Sequence, residues 1–223
     1  MRSAVHLVAV LAVLALLAVA CGPAVSVSPS PSATALRSAS PTATQTVPAR
    51  QLSAAEAERL AAGRVRATLD ALKTRDGALL AMVAHPAKGV RFSPYHFVNV
   101  TRDVVLMQGD LANAYTDPKT RTWGVTDGKG DPITLTFPDF AARYVYSRDF
   151  KNAPRTAYNK TIGSGNTIDN TAQVYADAIL FEAYDPGPDP ANESFRWQCL
   201  RLLFEWSGGD WFLVGIVHGE WTI

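Results

Sequence analysis

The sequence predicts an α+β domain in which a curved antiparallel sheet packs on N-terminal helices. Three observations predict this class. A capped amphipathic helical pattern begins at Ser53. Residues 195–223 form two apolar runs separated by a Gly-Gly pair, which is typical of a β-hairpin. Residues 173–184 also have strand character. Helices followed by several long strands favour a sheet with helices on one side.

The closing hairpin is the most strongly patterned part of the chain. With Gly208-Gly209 as its turn, Trp206 lies opposite Trp211 and Cys199 opposite His218. The period-2 rule then assigns side chains to faces. One face carries Leu200, Leu202, Phe204, Trp206, Trp211, Leu213 and Val217, and the other carries Trp197, Cys199, Arg201, Leu203, Phe212, Val214, Ile216 and His218. Because both faces are largely apolar, we expect the hairpin to be covered on both sides.

Two helices are predicted before the first strand. Ser53 and Glu56 form a capping box, and an apolar stripe follows at helical spacing. The stripe contains Leu60, Ala61, Val65, Leu69 and Leu72. Asp76 is placed to cap a shorter helix through Val83, which ends before Pro86.

The middle of the chain predicts short strands and a third helix. Strand segments are expected at 89–100 (interrupted at Pro94), at 104–107, and as a hairpin of 120–126 with 133–137. Thr136 is expected to begin a helix that runs to about Phe150. Residues 151–170 have no period. A loop of this length inside a compact domain is either functional or a misinterpreted element.

Charge and cysteine content argue against several classes of protein. The 223 residues include 21 basic and 20 acidic side chains, for a formal net charge of +1. Without a basic run, neither nucleic acid nor an anionic membrane surface is an expected electrostatic partner. The chain has two cysteines, Cys21 and Cys199, and Cys21 lies at a signal boundary. A structural disulfide is therefore not expected.

The N-terminus predicts export. After Arg2, an apolar run extends from Val5 to Ala20, which is short for a membrane span and typical of a secretory signal. The run ends Leu17-Ala-Val-Ala-Cys21-Gly, which resembles the lipobox of bacterial lipoproteins. The resemblance implies a signal peptide over 1–20 and lipidation of Cys21. The expected location is the extracytoplasmic face of a membrane, with a non-lipidated secreted protein as the alternative.

A tether is predicted between the signal and the domain. Residues 21–52 begin with the lipidated cysteine and continue in Ser, Pro, Thr and Ala, a composition that cannot offset the entropy of ordering. As a flexible coil this segment would span about 30 Å. The single α+β domain is then expected over 53–223.

The order of elements resembles the NTF2-like (cystatin-like) cone, a curved sheet wrapped around helices with a pocket between them. The resemblance covers 53–223 and rests on the two N-terminal helices and the last three strands. Residues 85–95 also resemble segments of uncharacterised secreted bacterial proteins, which implies no activity. NTF2-like folds host isomerases, dehydratases, transport factors and binding modules, so the resemblance assigns no function.

Few residues indicate catalytic chemistry. His85, His96 and His218 have no spacing typical of zinc ligands, and no metal or other cofactor is expected. Cys199 opposite His218 could form a thiolate–imidazole pair, although a cysteine within a strand is more often a small buried apolar residue.

A cone would bring six polar or aromatic residues toward one pocket. These ligand-binding candidates are Arg91, Tyr95, His96, Tyr144, Arg201 and His218. Arg201 in an apolar strand needs an acidic partner or an anionic ligand. An ion pair with Asp139 or Glu205 is the structural alternative.

The sequence therefore predicts a lipid-anchored extracytoplasmic protein with a non-catalytic domain that binds a small molecule or an envelope protein. Two alternatives stay open. One is a cone-pocket enzyme with acid–base or hydrolytic activity on an envelope substrate, and the other is an interaction module that contacts a protein through a groove or sheet edge.

Overall fold

The computed structural model describes residues 47–189 and 193–222, which belong to one compact unit, Gln45–Ile223. The predicted signal peptide and Cys21 lie outside the described residues. The folded unit begins earlier than expected, because a 3-10 turn at Ala49–Gln51 buries Ala49 and Leu52 packs against the core. Asn159 Nδ2 donates to the carbonyls of both residues, at 2.8 and 3.1 Å.

The two N-terminal helices form where the sequence predicts them. Helix α1 spans Ala54–Thr74, and the Ser53 side chain accepts from the Glu56 amide. Helix α2 spans Gly77–Val83, and Asp76 accepts from the Leu79 amide. Both caps satisfy amides that have no partner inside the helix. The predicted stripe of α1 faces the core, with Leu60 only partly buried.

The remaining elements are mostly short. The strands are β1 (Val90–Ser93), β2 (Val104–Leu106), β3 (Arg121–Val125), β4 (Pro132–Leu135), β5 (Arg155–Tyr158), β6 (Ile179–Asp185), β7 (Gln198–Ser207) and β8 (Asp210–Glu220). The helices are α3 (Gln108–Ala112), α4 (Phe137–Phe140), α5 (Thr171–Val174) and α6 (Glu193–Arg196). The helix expected to reach Phe150 instead continues from α4 as a π-helical turn, Ala141–Val145, and ends there.

Six strands form a curved, open sheet in the order β2-β1-β8-β7-β6-β5, and β3 with β4 forms a separate two-stranded sheet. The α+β class is confirmed, and most strand pairs are antiparallel. The exception is β1, which runs parallel to β8. No local pattern predicts this contact, because it joins strands more than a hundred residues apart.

The closing hairpin corrects the predicted register. Trp206 does pair with Trp211, as expected from the Gly208-Gly209 turn. However, Leu203 pairs with Gly215 and Phe204 with Leu213, so Val214 is an extra residue, a β-bulge. His218 consequently pairs with Leu200, whereas the register without a bulge placed it opposite Cys199.

The bulge also exchanges the faces of the residues that follow it. Ile216 joins Leu202 in the core against the helices, whereas Val217 joins Leu203 in a cluster on the opposite face. We call these the helix-packed face and the loop-covered face of the sheet. His218 pairs with Leu200 and therefore belongs to the helix-packed face, not to the face predicted for it.

The loop-covered face is closed by the segment 159–178. The predicted loop, 151–170, contains a short strand, β5. The strand expected from residue 173 begins only at Ile179, because the helical turn α5 and the turn after it come first. Gly163 and Gly165 lie against the ring of Trp197, and Tyr175 packs with Leu180 and Leu203. Both faces are covered, as the apolar composition of the hairpin predicts.

On the helix-packed face the space between the sheet and the helices is filled by aromatic rings. Trp123 stacks on Phe140 at 4.1 Å between centroids, and Phe92 makes edge contacts with both rings and with Phe137. Among the residues that the structure describes, no helix combines the length and apolar character needed to cross a membrane.

Candidate functional site

A cleft of about 440 Å³ opens beside the sheet, between residues 94–103 and strand β3. We call it the outer cleft. Its lining is Pro94, Tyr95, Phe97, Asn99, Arg102, Asp103, Thr122, Gly124, Val125, Thr126, Asp127 and Thr167. The volume lies within the range of small-molecule sites, and apolar walls with a few polar groups are typical of such sites.

One wall is built by the chain that leaves β1. Pro94 has no amide to continue a strand ladder, so the backbone turns away from the sheet after Ser93. The Asn99 side chain accepts from the amides of Thr101 and Arg102, which forms a local turn.

Two further contacts hold this wall in place. Asn170 forms a reciprocal pair with the backbone of Val98, at 2.7 and 3.0 Å. Arg91 Nη1 donates to the carbonyls of Val100 and Asp103. These hydrogen bonds from Asn170 and Arg91 hold the wall in position without a ligand.

The opposite wall is the irregular strand β3. The pairing of β3 with β4 shifts between Thr122 and Val125. Gly124 lies within this shift with φ +146°, and a Cβ there would approach the Pro94 ring to 3.0 Å. A larger residue at position 124 would push the two walls apart. Val125 is left 45% exposed at the cleft.

Tyr95 connects the outer cleft to a group of polar residues at the edge of the core. Its ring makes an edge contact with Tyr144 at 5.9 Å. Burial raises the pKa of Tyr95 above its ordinary value, with further contributions from Tyr144 and Glu220. The hydroxyl therefore stays protonated at neutral pH.

The edge group centres on His218 and Glu220. Tyr144 packs edge-on against His218, 6.0 Å between centroids. Burial lowers the pKa of His218, and the carboxylate of Glu220 opposes this only in part. Nε2 of His218 lies 3.5 Å from Glu220 Oε2, and neither ring nitrogen forms a hydrogen bond with any residue described. Although burial alone would raise it, the pKa of Glu220 is lowered, because Arg143 donates to both of its carboxylate oxygens, at 2.6 and 3.0 Å.

Arg201 is the centre of a second group, on the loop-covered face, which we call the Arg201 cluster: Arg201, Glu182, Asp169 and Thr171. Nε of Arg201 donates to Glu182 at 2.7 Å, and Nη1 donates to Asp169 at 2.6 Å and to Thr171 at 3.2 Å. The predicted ion-pair partners, Asp139 and Glu205, are wrong: they bond to Thr136 and Lys88 instead.

The Arg201 cluster is closed by backbone groups of the covering loop. Nη2 of Arg201 donates to the Gly163 carbonyl at 3.1 Å, and the amides of Ile162 and Gly163 donate to Glu182 Oε1. Burial alone would raise the pKa of Asp169, but the Arg201 guanidinium and the hydrogen bonds from Thr171 together outweigh it, and the pKa is lowered. Arg201 thus has four internal acceptors and joins the sheet to the loop.

Cys199 contacts His96, not His218. Its Sγ lies 3.3 Å from His96 Nε2, and the imidazole stacks on Trp197. Gly219 lies opposite Cys199 in the sheet, and a Cβ there would clash with His96. Burial raises the pKa of Cys199 well above its ordinary value, whereas burial and Arg201 lower that of His96 to about 3. Both groups are neutral and enclosed, which does not suit a nucleophile and its base.

The structure separates the six predicted pocket residues. Tyr95 lines the outer cleft, Tyr144 and His218 form the edge group, and His96 and Arg201 lie on the loop-covered face. Arg91 does not line the cleft, but its guanidinium donates to the Val100 carbonyl in the cleft wall. Sequence reasoning missed the other lining residues, because the cleft forms between two segments that carry no shared motif.

Within residues 47–189 and 193–222, no three His, Cys, Asp or Glu side chains are grouped to hold a metal ion. Comparisons of the chain with family models, curated proteins and solved structures found no match.

Proposed function

We propose that this chain is a lipid-anchored extracytoplasmic protein whose α+β domain binds a small ligand in the outer cleft without chemical conversion. The observation that carries the proposal is the cleft itself, about 440 Å³, with one wall, residues 94–103, fixed by internal hydrogen bonds. A preformed cleft binds without paying to order its walls, which favours affinity.

Two features support binding over catalysis. The nucleophile that the sequence offers, Cys199, is buried with a neutral thiol and does not line the cleft. The two carboxylates that line the cleft, Asp103 and Asp127, accept hydrogen bonds from the protein.

The anchor is the second part of the proposal. The lipobox-like sequence that ends at Cys21 supports lipidation, and the Ser/Pro/Thr-rich segment after it supports a tether. The architecture we propose is a variant of the NTF2-like cone. Support comes from helices α1 and α2 against a curved sheet that ends in three long antiparallel strands. In this variant the helix-packed interior is filled and the cleft lies outside it.

Binding is tested with N-phenylnaphthylamine, an uncharged probe that fluoresces in apolar sites. The protein is the full chain carrying Cys21→Ser, which has no thiol at this position for a lipid. We expect saturable fluorescence that Val125→Asp weakens at least tenfold, because the carboxylate enters the apolar wall. The matched control is Val105→Asp, since Val105 is also on a strand and 37% exposed but does not line the cleft. Equal loss in both variants, or none in either, would contradict the proposed site.

Lipidation is tested separately by metabolic labelling with palmitate. We expect label on the wild-type chain and none on Cys21→Ser. An unlabelled mature wild-type chain would refute the anchor and leave the binding proposal intact.

A further inference from the structure

We infer that the outer cleft takes an amphipathic monoanion: a small apolar body that carries one carboxylate, with the carboxylate at Arg102. This inference rests on the proposed function and adds the chemical class of the ligand. It follows from the contrast between the polar groups of the cleft that already form hydrogen bonds within the protein and the one charged group whose side chain forms none with the described residues.

The two acidic side chains of the cleft are occupied. Asp103 Oδ2 accepts from the Ser93 hydroxyl at 2.5 Å and from the Asn99 amide at 2.9 Å. Asp127 accepts from the hydroxyls of Thr167 and Thr222 and from the Gly128 amide. These carboxylates hold the walls together through donors that the protein itself supplies.

Arg102 is the charged group that remains. Its backbone amide is fixed by Asn99 Oδ1 at 3.2 Å. Its guanidinium forms no hydrogen bond or ion pair with residues 47–189 or 193–222, and the side chain is exposed at the rim. A guanidinium presents paired donors that match a carboxylate, so an anion at this rim would gain a charge-assisted bond.

The apolar part of the ligand follows from the walls. Phe97 and Val125 are 46% and 45% exposed, and Pro94 and Tyr95 also line the cleft. Covering such surface is favourable in proportion to its area. The carboxylates Asp103 and Asp127 line the same cleft and repel a dianion more strongly than a monoanion, which argues for a carboxylate over a phosphate.

The test is isothermal titration calorimetry on the full chain carrying Cys21→Ser. Four ligands share one apolar body and differ in charge: naphthoate, naphthylmethanol, naphthylmethylammonium and naphthyl phosphate. We expect naphthoate to bind up to about fivefold more tightly than the alcohol, the upper end of the gain from one exposed ion pair. Naphthyl phosphate should bind no better than naphthoate, and the ammonium compound should bind least.

The role of Arg102 is tested with Arg102→Gln, which should bring naphthoate to the affinity of the alcohol while the alcohol is unaffected. Arg66→Gln is the matched control, because Arg66 is an exposed arginine on α1 that does not line the cleft. If the alcohol, the ammonium compound or the phosphate binds more tightly than naphthoate, the proposed ligand class is wrong, although the cleft remains a binding site. A preference for naphthoate that survives Arg102→Gln would overturn the assignment to Arg102. Binding of none of the four would overturn both this inference and the proposed function.

Discussion

The two faces of the six-stranded sheet are covered by different kinds of structure. On the helix-packed face, α1 and aromatic rings meet Leu200, Leu202 and Phe204 in an apolar core. On the loop-covered face, the segment 159–178 has little regular structure and is joined to the sheet through Arg201 and Glu182. The helix-packed face depends mainly on apolar burial, whereas the loop-covered face combines a smaller apolar cluster with a buried, hydrogen-bonded ionic group.

This difference shows that a loop can cover the face of a sheet as a helix does, provided that a buried ion pair holds the loop in place. Desolvating Arg201 and Glu182 is costly, and their pairing offsets that cost only because each guanidinium nitrogen donates to an acceptor. The loop gains its fixed position from the same bonds. We therefore expect substitutions on the two faces to destabilise the domain in different ways.

The largest effect is expected for Arg201→Leu. Removing the guanidinium leaves Glu182 buried without its cation, which should lower the free energy of unfolding by about 4 kcal/mol. Chemical denaturation monitored by tryptophan fluorescence measures this. In the double variant Arg201→Leu with Glu182→Leu, much of the loss should be recovered. A double variant less stable than Arg201→Leu alone would show that the charge pairing is not what holds the loop.

A slightly smaller effect is expected on the helix-packed face. Leu202→Ala opens a cavity in the fully buried core and should cost about 3 kcal/mol. Hydrogen exchange distinguishes the two variants. Leu202→Ala should speed exchange throughout the domain, whereas Arg201→Leu should speed it first in 159–178. Identical exchange patterns would contradict the distinction between the faces.

The loop-covered face should also be sensitive to acid. The folded pKa of His96 is about 3, below the value of about 6.5 in an unfolded chain. The unfolded state therefore takes up the proton first as pH falls from about 6.5, and stability declines. Between pH 7 and pH 5 this linkage costs about 2 kcal/mol.

Urea denaturation at several pH values tests this decline. Because the pKa of His218 is also lowered by burial, His96→Gln should reduce the slope without abolishing it. An unchanged slope in His96→Gln would mean that His96 is not responsible. Asp169 is not expected to contribute in this window, because its lowered pKa makes it titrate at lower pH.

The smallest effect is expected from His218→Leu, the same kind of change as Arg201→Leu on the opposite face. Both ring nitrogens of His218 lack hydrogen-bond partners among the described residues, so an apolar side chain loses little. We expect a change within about 1 kcal/mol, of either sign, in thermal denaturation. A loss as large as that of Arg201→Leu would indicate that His218 and Glu220 form a structural pair.

The sequence predicted the elements that local chemistry determines. Ser53 and Asp76 cap their helices, and the Gly208-Gly209 turn fixes the pair Trp206–Trp211. The bulge at Val214 could not be predicted, because it depends on the packing of both faces and not on the turn. The parallel contact of β1 with β8 likewise requires the complete sheet.

The candidate site was predicted less well than the fold. Tyr95 was identified, but the cleft it lines forms between residues 94–103 and β3, which are brought together only by tertiary packing. Arg201 was recognised as a residue that needs an anionic partner. Its partners could not be identified, because Glu182 depends on the strand register and Asp169 lies in a segment without a period.

The location of the ligand is the central claim, and amide NMR spectra during a naphthoate titration test it most directly. We expect shifts concentrated in 95–103 and 122–127, with amides of the helix-packed face such as Leu202 and Ile216 unaffected. Shifts centred on Leu202 and Ile216, with 95–103 unchanged, would place the ligand between the sheet and the helices and contradict the account.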